Sequence, residues 1–191
     1  MRQQVLTWLA NNVPASRVRH ILGVEDMAIQ LAHHYQVDEV KAGMAGLMHD
    51  LAKYFQPTQL LAMAQTEGLT IDPICQANPH LLHADVSAIV ARDEFAVQDE
   101  EVLTAIRNHT LGSPQMSVLS CIIFVADALE PNRGNNSQLK KMRQVSRENL
   151  YESVRQTSDY SLQYLLKRRC PIHPRTVLTR NWALQKGQKT C

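Results

Sequence analysis

An all-α fold is what the 191-residue sequence predicts, and three observations carry that expectation. Apolar residues recur at helical spacing along the chain, and no run of strand-like alternation lasts more than a few residues. Aromatic residues make up only 5% of the chain while Ala, Leu, Val and Met are plentiful, a composition suited to helices packed on helices. Capping residues and prolines, finally, stand where the periodic stretches begin and end.

The elements follow in order. Gln3 to Asn11 reads as a short amphipathic opener that stops before Pro14. Ser16 is placed to cap a long helix reaching about Tyr35, with Val24, Met27 and Leu31 on one stripe. Asp38 caps the next, from Glu39 to about Met48, where Ala42, Ala45 and Gly46 leave room for a neighbouring helix. Pro57 suits the first turn of a helix that Gly68 ends. From Leu69 to Pro79, two prolines and weak periodicity predict a loop. Further helices are expected at about Leu82 to Phe95, Asp99 to His109, Ser117 to Leu129, Ser137 to Ser146 and Glu148 to Arg169. EPNRGNN, from Glu130 to Asn136, is a polar turn; the segment from Pro171 is irregular before Trp182, and the final KGQKTC is a frayed tail. With no repeat, low-complexity tract or clear linker, the expectation is one domain over residues 1–184, including a C-terminal helical extension, and a polar tail over 185–191.

Composition narrows the function. Twenty basic residues against 18 acidic ones leave a net charge of +2, which argues against a protein that coats nucleic acid through many uncompensated cations. A local basic pocket for a small anion stays open. Cys75, Cys121, Cys170 and Cys191 show no CxxC or other close spacing, so a reduced, cytoplasmic setting is expected. The N-terminus is too polar for a signal peptide. The most apolar window, Val118 to Leu129, is about half the length that crosses a bilayer and contains Asp127, so no membrane segment is expected.

Chemistry concentrates in a few imidazoles and carboxylates. His49 and Asp50 adjoin at the end of a small-residue helix, GLMHDLAK; standing alone, such a pair reads as a surface helix terminus. Asp127 shares a stripe with Ser120, Ile123 and Phe124, where a carboxylate is costly to bury without a cation, a metal or strong donors. His20 begins a stripe with Val24, Met27 and Leu31, His83 one with Val86 and Val90, and His109 ends one with Val102 and Ile106. One such histidine is ordinarily a hydrogen-bonded core residue. Three, with His49, Asp50 and Asp127, are better explained by convergence on one site. Imidazole and carboxylate together suit iron, manganese or zinc with positions open to water, and the lack of cysteine speaks against a closed structural zinc site. His33, His34 and His80 need only surface or capping roles. Lys53, one helical turn after Asp50, brings an ammonium towards that site, and Arg133 can form two parallel bonds to a phosphate.

The blocks RHILGV, AGLMHDLAKYF, LLHADV, AIRNHTLGSPQMS, ADALEPNR and IHPRTVLTRNW, in this order over roughly residues 17–182, resemble the HD-domain metal-dependent phosphohydrolases. The likeness is to their YqeK-type branch, which hydrolyses diadenosine tetraphosphate symmetrically to two ADP. The resemblance implies an HD-domain helical bundle with iron, in one or two positions and replaceable by manganese, held by His20, His49, Asp50 and Asp127. It implies catalytic roles for Asp50, Lys53, His83 and His109. Nucleotide contacts are implied for Arg17, His20, Lys53, His83, His109, Asp127, Arg133, Ile172 and His173. Ile21 departs from the family, which commonly has threonine there. Substrate and product would be a dinucleoside polyphosphate and ADP, with a homodimer left open. The competing readings are a nucleotidase or another alarmone hydrolase, and a non-catalytic nucleotide-binding module.

Overall fold

Side-chain caps set where most helices begin. Asp38, Asp72, Asp99, Ser117, Asn136 and Asn149 each accept a hydrogen bond from free N–H groups in the first turn that follows. The computed structural model describes residues 1–187 and contains no strand among them. Its helices are α1 (Arg2–Asn12), α2 (Ala15–His34), α3 (Glu39–Met48), α4 (Pro57–Thr66), α5 (Pro73–Ala77), α6 (His83–Phe95), α7 (Glu100–Asn108), α8 (Val118–Leu129), α9 (Ser137–Glu148), α10 (Leu150–Arg168) and α11 (Pro174–Gly187). Two 3₁₀ turns, Pro79–Leu82 and Pro131–Arg133, complete the path.

Four expectations are corrected. Ser16 does not cap α2: the helix starts at Ala15 behind an extended Pro14, so the serine lies inside the first turn. The stretch expected as a loop holds α5, where Asp72 caps and Pro73 supplies the first turn; five residues are too few for periodicity to register. The segment after Pro171 is irregular only as far as His173, because Pro174 opens α11. The buried residues of α11 are Thr176, Thr179 and Ala183, so its inner face carries almost no apolar signal. The helix runs through Gly187, which makes residues 185–187 of the expected tail helical; residues 188–191 lie outside the described residues.

α8 is the central element, buried over most of its length and in contact with α2, α3, α7 and α10. Leu9, Ile21, Leu51, Leu103, Ile106, Ile122, Ile123 and Leu129 form the fully buried centre of the core. α2 and α3 approach closely because Gly46 has no side chain: a Cβ there would lie 3.0 Å from the Glu25 Cα. That approach brings the end of α3, with His49 and Asp50, beside His20 on α2. α10 and α11 pack along one another, and α10 lies against α8. No described helix is long and apolar enough to cross a membrane. Cys75, Cys121 and Cys170 are free thiols.

Candidate metal centre

Three of the clustered histidines stand at helix ends, where local backbone fixes their rings. His49 and His109 follow the last residues of α3 and α7, and His83 opens α6. Each turns Nδ1 towards the carbonyl three residues back: Gly46 O at 2.7 Å, Ile106 O at 2.8 Å and His80 O at 2.5 Å. A carbonyl can only accept, so Nδ1 carries a proton and Nε2 is the nitrogen left facing inward, with a free lone pair whenever the ring is neutral. His20 lies within α2, where backbone carbonyls serve the helix. Its Nδ1 instead meets the carboxylate of Glu130 at 2.9 Å.

Those nitrogens converge on two carboxylates. Asp127 Oδ1 is 3.0 Å from His20 Nε2 and 3.6 Å from His49 Nε2. Asp50 Oδ2 lies 3.4 Å from His49 Nε2 and 3.9 Å from His20 Nε2, while its Oδ1 lies 3.3 Å from His83 Nε2 and 3.6 Å from His109 Nε2. Two groups result, His20–His49–Asp50 and Asp50–His83–His109, each with ligand atoms within 4.8 Å of one another. Inside this cluster His49 Nε2 and Asp50 Oδ1 are buried with no hydrogen-bond partner. Buried polar atoms without partners are costly, and two carboxylates set among four ring nitrogens call for positive charge, so the cluster fits a cation. The nitrogen and oxygen donors, without cysteine, suit a divalent metal that keeps positions open.

Electrostatics agree. Burial opposes charge on His49, but Asp50 and Asp127 outweigh it and raise its pKa to about 9. Burial alone would raise Asp50 and Asp127; for Asp50 the charge of His49 and the nearness of the surrounding imidazoles, and for Asp127 the nearness of His20 and His49 with Arg133, hold them well below the carboxylate range. His83 is pushed down to about 4, chiefly by burial, so its ring is neutral at neutral pH. Cations rim the site. Arg17 Nη1 donates to Asp50 Oδ2 at 2.9 Å, Arg133 Nη2 donates to Asp127 Oδ1 at 2.7 Å, and Lys53 Nζ lies 3.1 Å from His83 Nε2.

The fold thus gathers His20, His49, Asp50, His83, His109 and Asp127 from five helices and their ends, with Arg17, Lys53 and Arg133 at the edge. It places His173 in another group. His173 Nε2 donates to Asp72 Oδ2 at 2.7 Å, and its Nδ1 accepts from Arg175 N at 3.1 Å. Asp72, Cys75 and His173 lie close enough for a metal, yet Asp72 Oδ1 is already taken by the N–H groups of Ile74 and Cys75. The group reads as a latch between α5 and the start of α11. Ile172 is partly exposed beside it. His33 pairs with Glu39 and His34 with the Arg147 carbonyl, as surface roles require.

Several contributors escaped the sequence reading. Thr110 Oγ1 sits 2.9 Å from His109 Nε2 and 3.1 Å from His83 Nε2. Glu130 is fully buried against His20, and Arg143 holds the turn after α8 by donating to the carbonyls of Leu129, Glu130 and Gly134. The signal for Glu130 was its place in EPNR; nothing local marks Arg143.

Known proteins bear on this geometry. A family model described as "HD domain" matches residues 17–132. A symmetrical bis(5'-nucleosyl)-tetraphosphatase of Bacillus subtilis (strain 168) is 34% identical over 181 residues, which is 95% of this chain and 96% of that protein. Another, from Halalkalibacterium halodurans, is 36% identical over 96% of this chain and 97% of its own length. A crystal structure from Clostridium acetobutylicum, of a "predicted HD superfamily hydrolase involved in NAD metabolism", has a TM-score of 0.93 at 32% identity, covering 97% of this chain and 98% of that one. The matched family segment starts at Arg17 and ends at Asn132, enclosing all six converging side chains, and the chain belongs to the HD-domain family.

Proposed function

We propose that this protein is a divalent-metal-dependent phosphohydrolase that cleaves diadenosine tetraphosphate symmetrically to two ADP. The observation that carries the reading is the buried His/Asp cluster, whose unpaired His49 Nε2 and Asp50 Oδ1 call for a cation. The substrate is supported by two relatives, each matched nearly end to end, that are named symmetrical bis(5'-nucleosyl)-tetraphosphatases. His20, His49, Asp50 and Asp127 would hold the metal, which we take to be iron with manganese as a substitute. Asp50 Oδ1, with His83 and His109, offers a second position. A divalent metal bound there supplies Lewis acidity and lowers the pKa of a water molecule.

The chain's own groups do the rest. Asp50 orients the attacking water and accepts its proton. His83 is neutral and turns its Nε2 towards Asp50, so with His109 it can serve that second position, while the Thr110 hydroxyl beside both rings can donate to a phosphate oxygen. Lys53, Arg17 and Arg133 neutralise charge on the polyphosphate bridge and on the departing ADP. Both arginines now hold carboxylates that a metal would claim, which frees guanidinium donors for phosphate. Water adds across the bond between the second and third phosphates, so each product keeps two phosphates and one adenosine. Ile172 and His173 stand as nucleotide contacts on the resemblance alone. The three free thiols support a reducing, cytoplasmic setting.

Metal reconstitution tests the reading. Protein stripped by a chelator should be inactive and recover turnover with iron, and to a lesser degree manganese. In a panel of mononucleotides and other dinucleoside polyphosphates, diadenosine tetraphosphate should give the highest kcat/KM. Tight nucleotide binding without turnover under every metal would contradict a hydrolase.

A further inference from the structure

We propose that Glu130 is a positioning residue: it fixes His20 in the Nδ1–H tautomer and so presents the Nε2 lone pair to the cation. This rests on the metal-centre reading above. Glu130 is completely buried, and its one charged-group partner among the described residues is the His20 ring. Oε1 lies 2.9 Å from His20 Nδ1, while Oε2 accepts from Asn132 N at 2.6 Å and from Asn132 Nδ2 at 2.8 Å. The carboxylate is oriented as an acceptor, with Oε2 taking two N–H donors of Asn132, so Oε1 accepts in turn and the hydrogen on that contact belongs to His20. The charge behind the ring also strengthens Nε2 as a ligand, as carboxylates behind metal-bound histidines do.

The surroundings are shaped for this contact. A Cβ on Gly23 would lie 2.3 Å from Glu130 Oε2 and 2.9 Å from Asn132 Nδ2, so the carboxylate occupies the notch that a glycine leaves on α2. Arg143 clamps the same turn from the other side through three backbone carbonyls, independently of the Glu130 side chain. His49, His83 and His109 are held by backbone oxygens that no substitution removes. His20 alone among the four depends on a side chain for its tautomer.

Glutamine at this position separates positioning from mere structural support. Two Asn132 donors face the Oε2 side, so the amide carbonyl of Glu130→Gln must turn there. Its NH₂ then points at His20 Nδ1, which must accept, and the ring proton moves to Nε2, where it blocks the metal. Alanine leaves Nδ1–H free to find water. The expected order of affinity is therefore wild type, then Glu130→Ala, then Glu130→Gln, although glutamine is the closer replacement in shape.

The test is Mn²⁺ titration followed by EPR, with far-UV circular dichroism confirming the fold. NMR of ¹⁵N-histidine-labelled, chelator-treated protein at alkaline pH reads the His20 tautomer. Glu130→Gln should show an Nε2–H ring and bind Mn²⁺ roughly 10–100-fold more weakly than wild type, and more weakly than Glu130→Ala. Gly23→Ala, which displaces the carboxylate without removing it, should also weaken Mn²⁺ binding and serves if Glu130→Gln fails to fold. If wild-type protein takes up no Mn²⁺, the metal-centre reading fails, while the tautomer measurement still decides the role of Glu130. An Nδ1–H ring in folded Glu130→Gln, or Mn²⁺ affinity equal to wild type in that variant, overturns the proposal.

Discussion

At Asp50 the two carboxylate oxygens look to different partners, Oδ2 to His20 and His49 and Oδ1 to His83 and His109. Asparagine there keeps the shape but replaces one oxygen with a donor and removes the charge. Asp50→Asn should therefore lose bound metal and fall to background turnover while its far-UV circular dichroism stays that of wild type; substantial activity in this variant would count against the cluster. His49 supplies a pH dependence. Its pKa is raised to about 9 by Asp50 and Asp127, against burial, so at neutral pH the metal must displace a proton from it. Apparent metal affinity should then tighten as pH rises from neutrality to about 9 and level off above it, a slope that calorimetric titration at several pH values would read. An affinity flat across that window would show that no proton leaves.

At the scale of the element, Asp72 ties two pieces of chain together, capping α5 and accepting from His173 ahead of α11. Asp72→Ala removes both. The cap alone is worth about 1 kcal/mol, so Tm should fall by roughly 2–4 °C, with any surplus belonging to the latch. An unchanged Tm would make both contacts energetically silent. The same elements show what was legible in the sequence. Helices with apolar stripes and strong caps, such as α3, α7 and α8, announce themselves, because both signals are local. α5 is a single capped turn and a bit more, and α11 buries threonines, so neither has a stripe to read. His20, His83, His109 and Asp127 were legible because each is a costly occupant of an apolar face, and the adjacent His49 and Asp50 gained meaning from joining them. Glu130 and Thr110 were not, since their importance lies in which ring they meet, and Glu130 meets one 110 positions away.

Across the whole molecule the metal cluster joins α2, α3, α6, α7 and α8, so a cation bound there couples five helices at once. A ligand that binds only the folded chain stabilises it, by about 2.7 kcal/mol when present at 100 times its Kd. Saturating divalent metal should accordingly raise Tm by roughly 5–10 °C over chelator-treated protein; no shift would mean that the cluster does not bind metal in the folded state. The most direct measurement is of products. Protein purified anaerobically and loaded with iron is incubated with diadenosine tetraphosphate, and the nucleotides are separated by ion-exchange chromatography. Symmetrical cleavage at this centre predicts ADP as the sole nucleotide product. ATP together with AMP, or intact substrate after prolonged incubation, would contradict it.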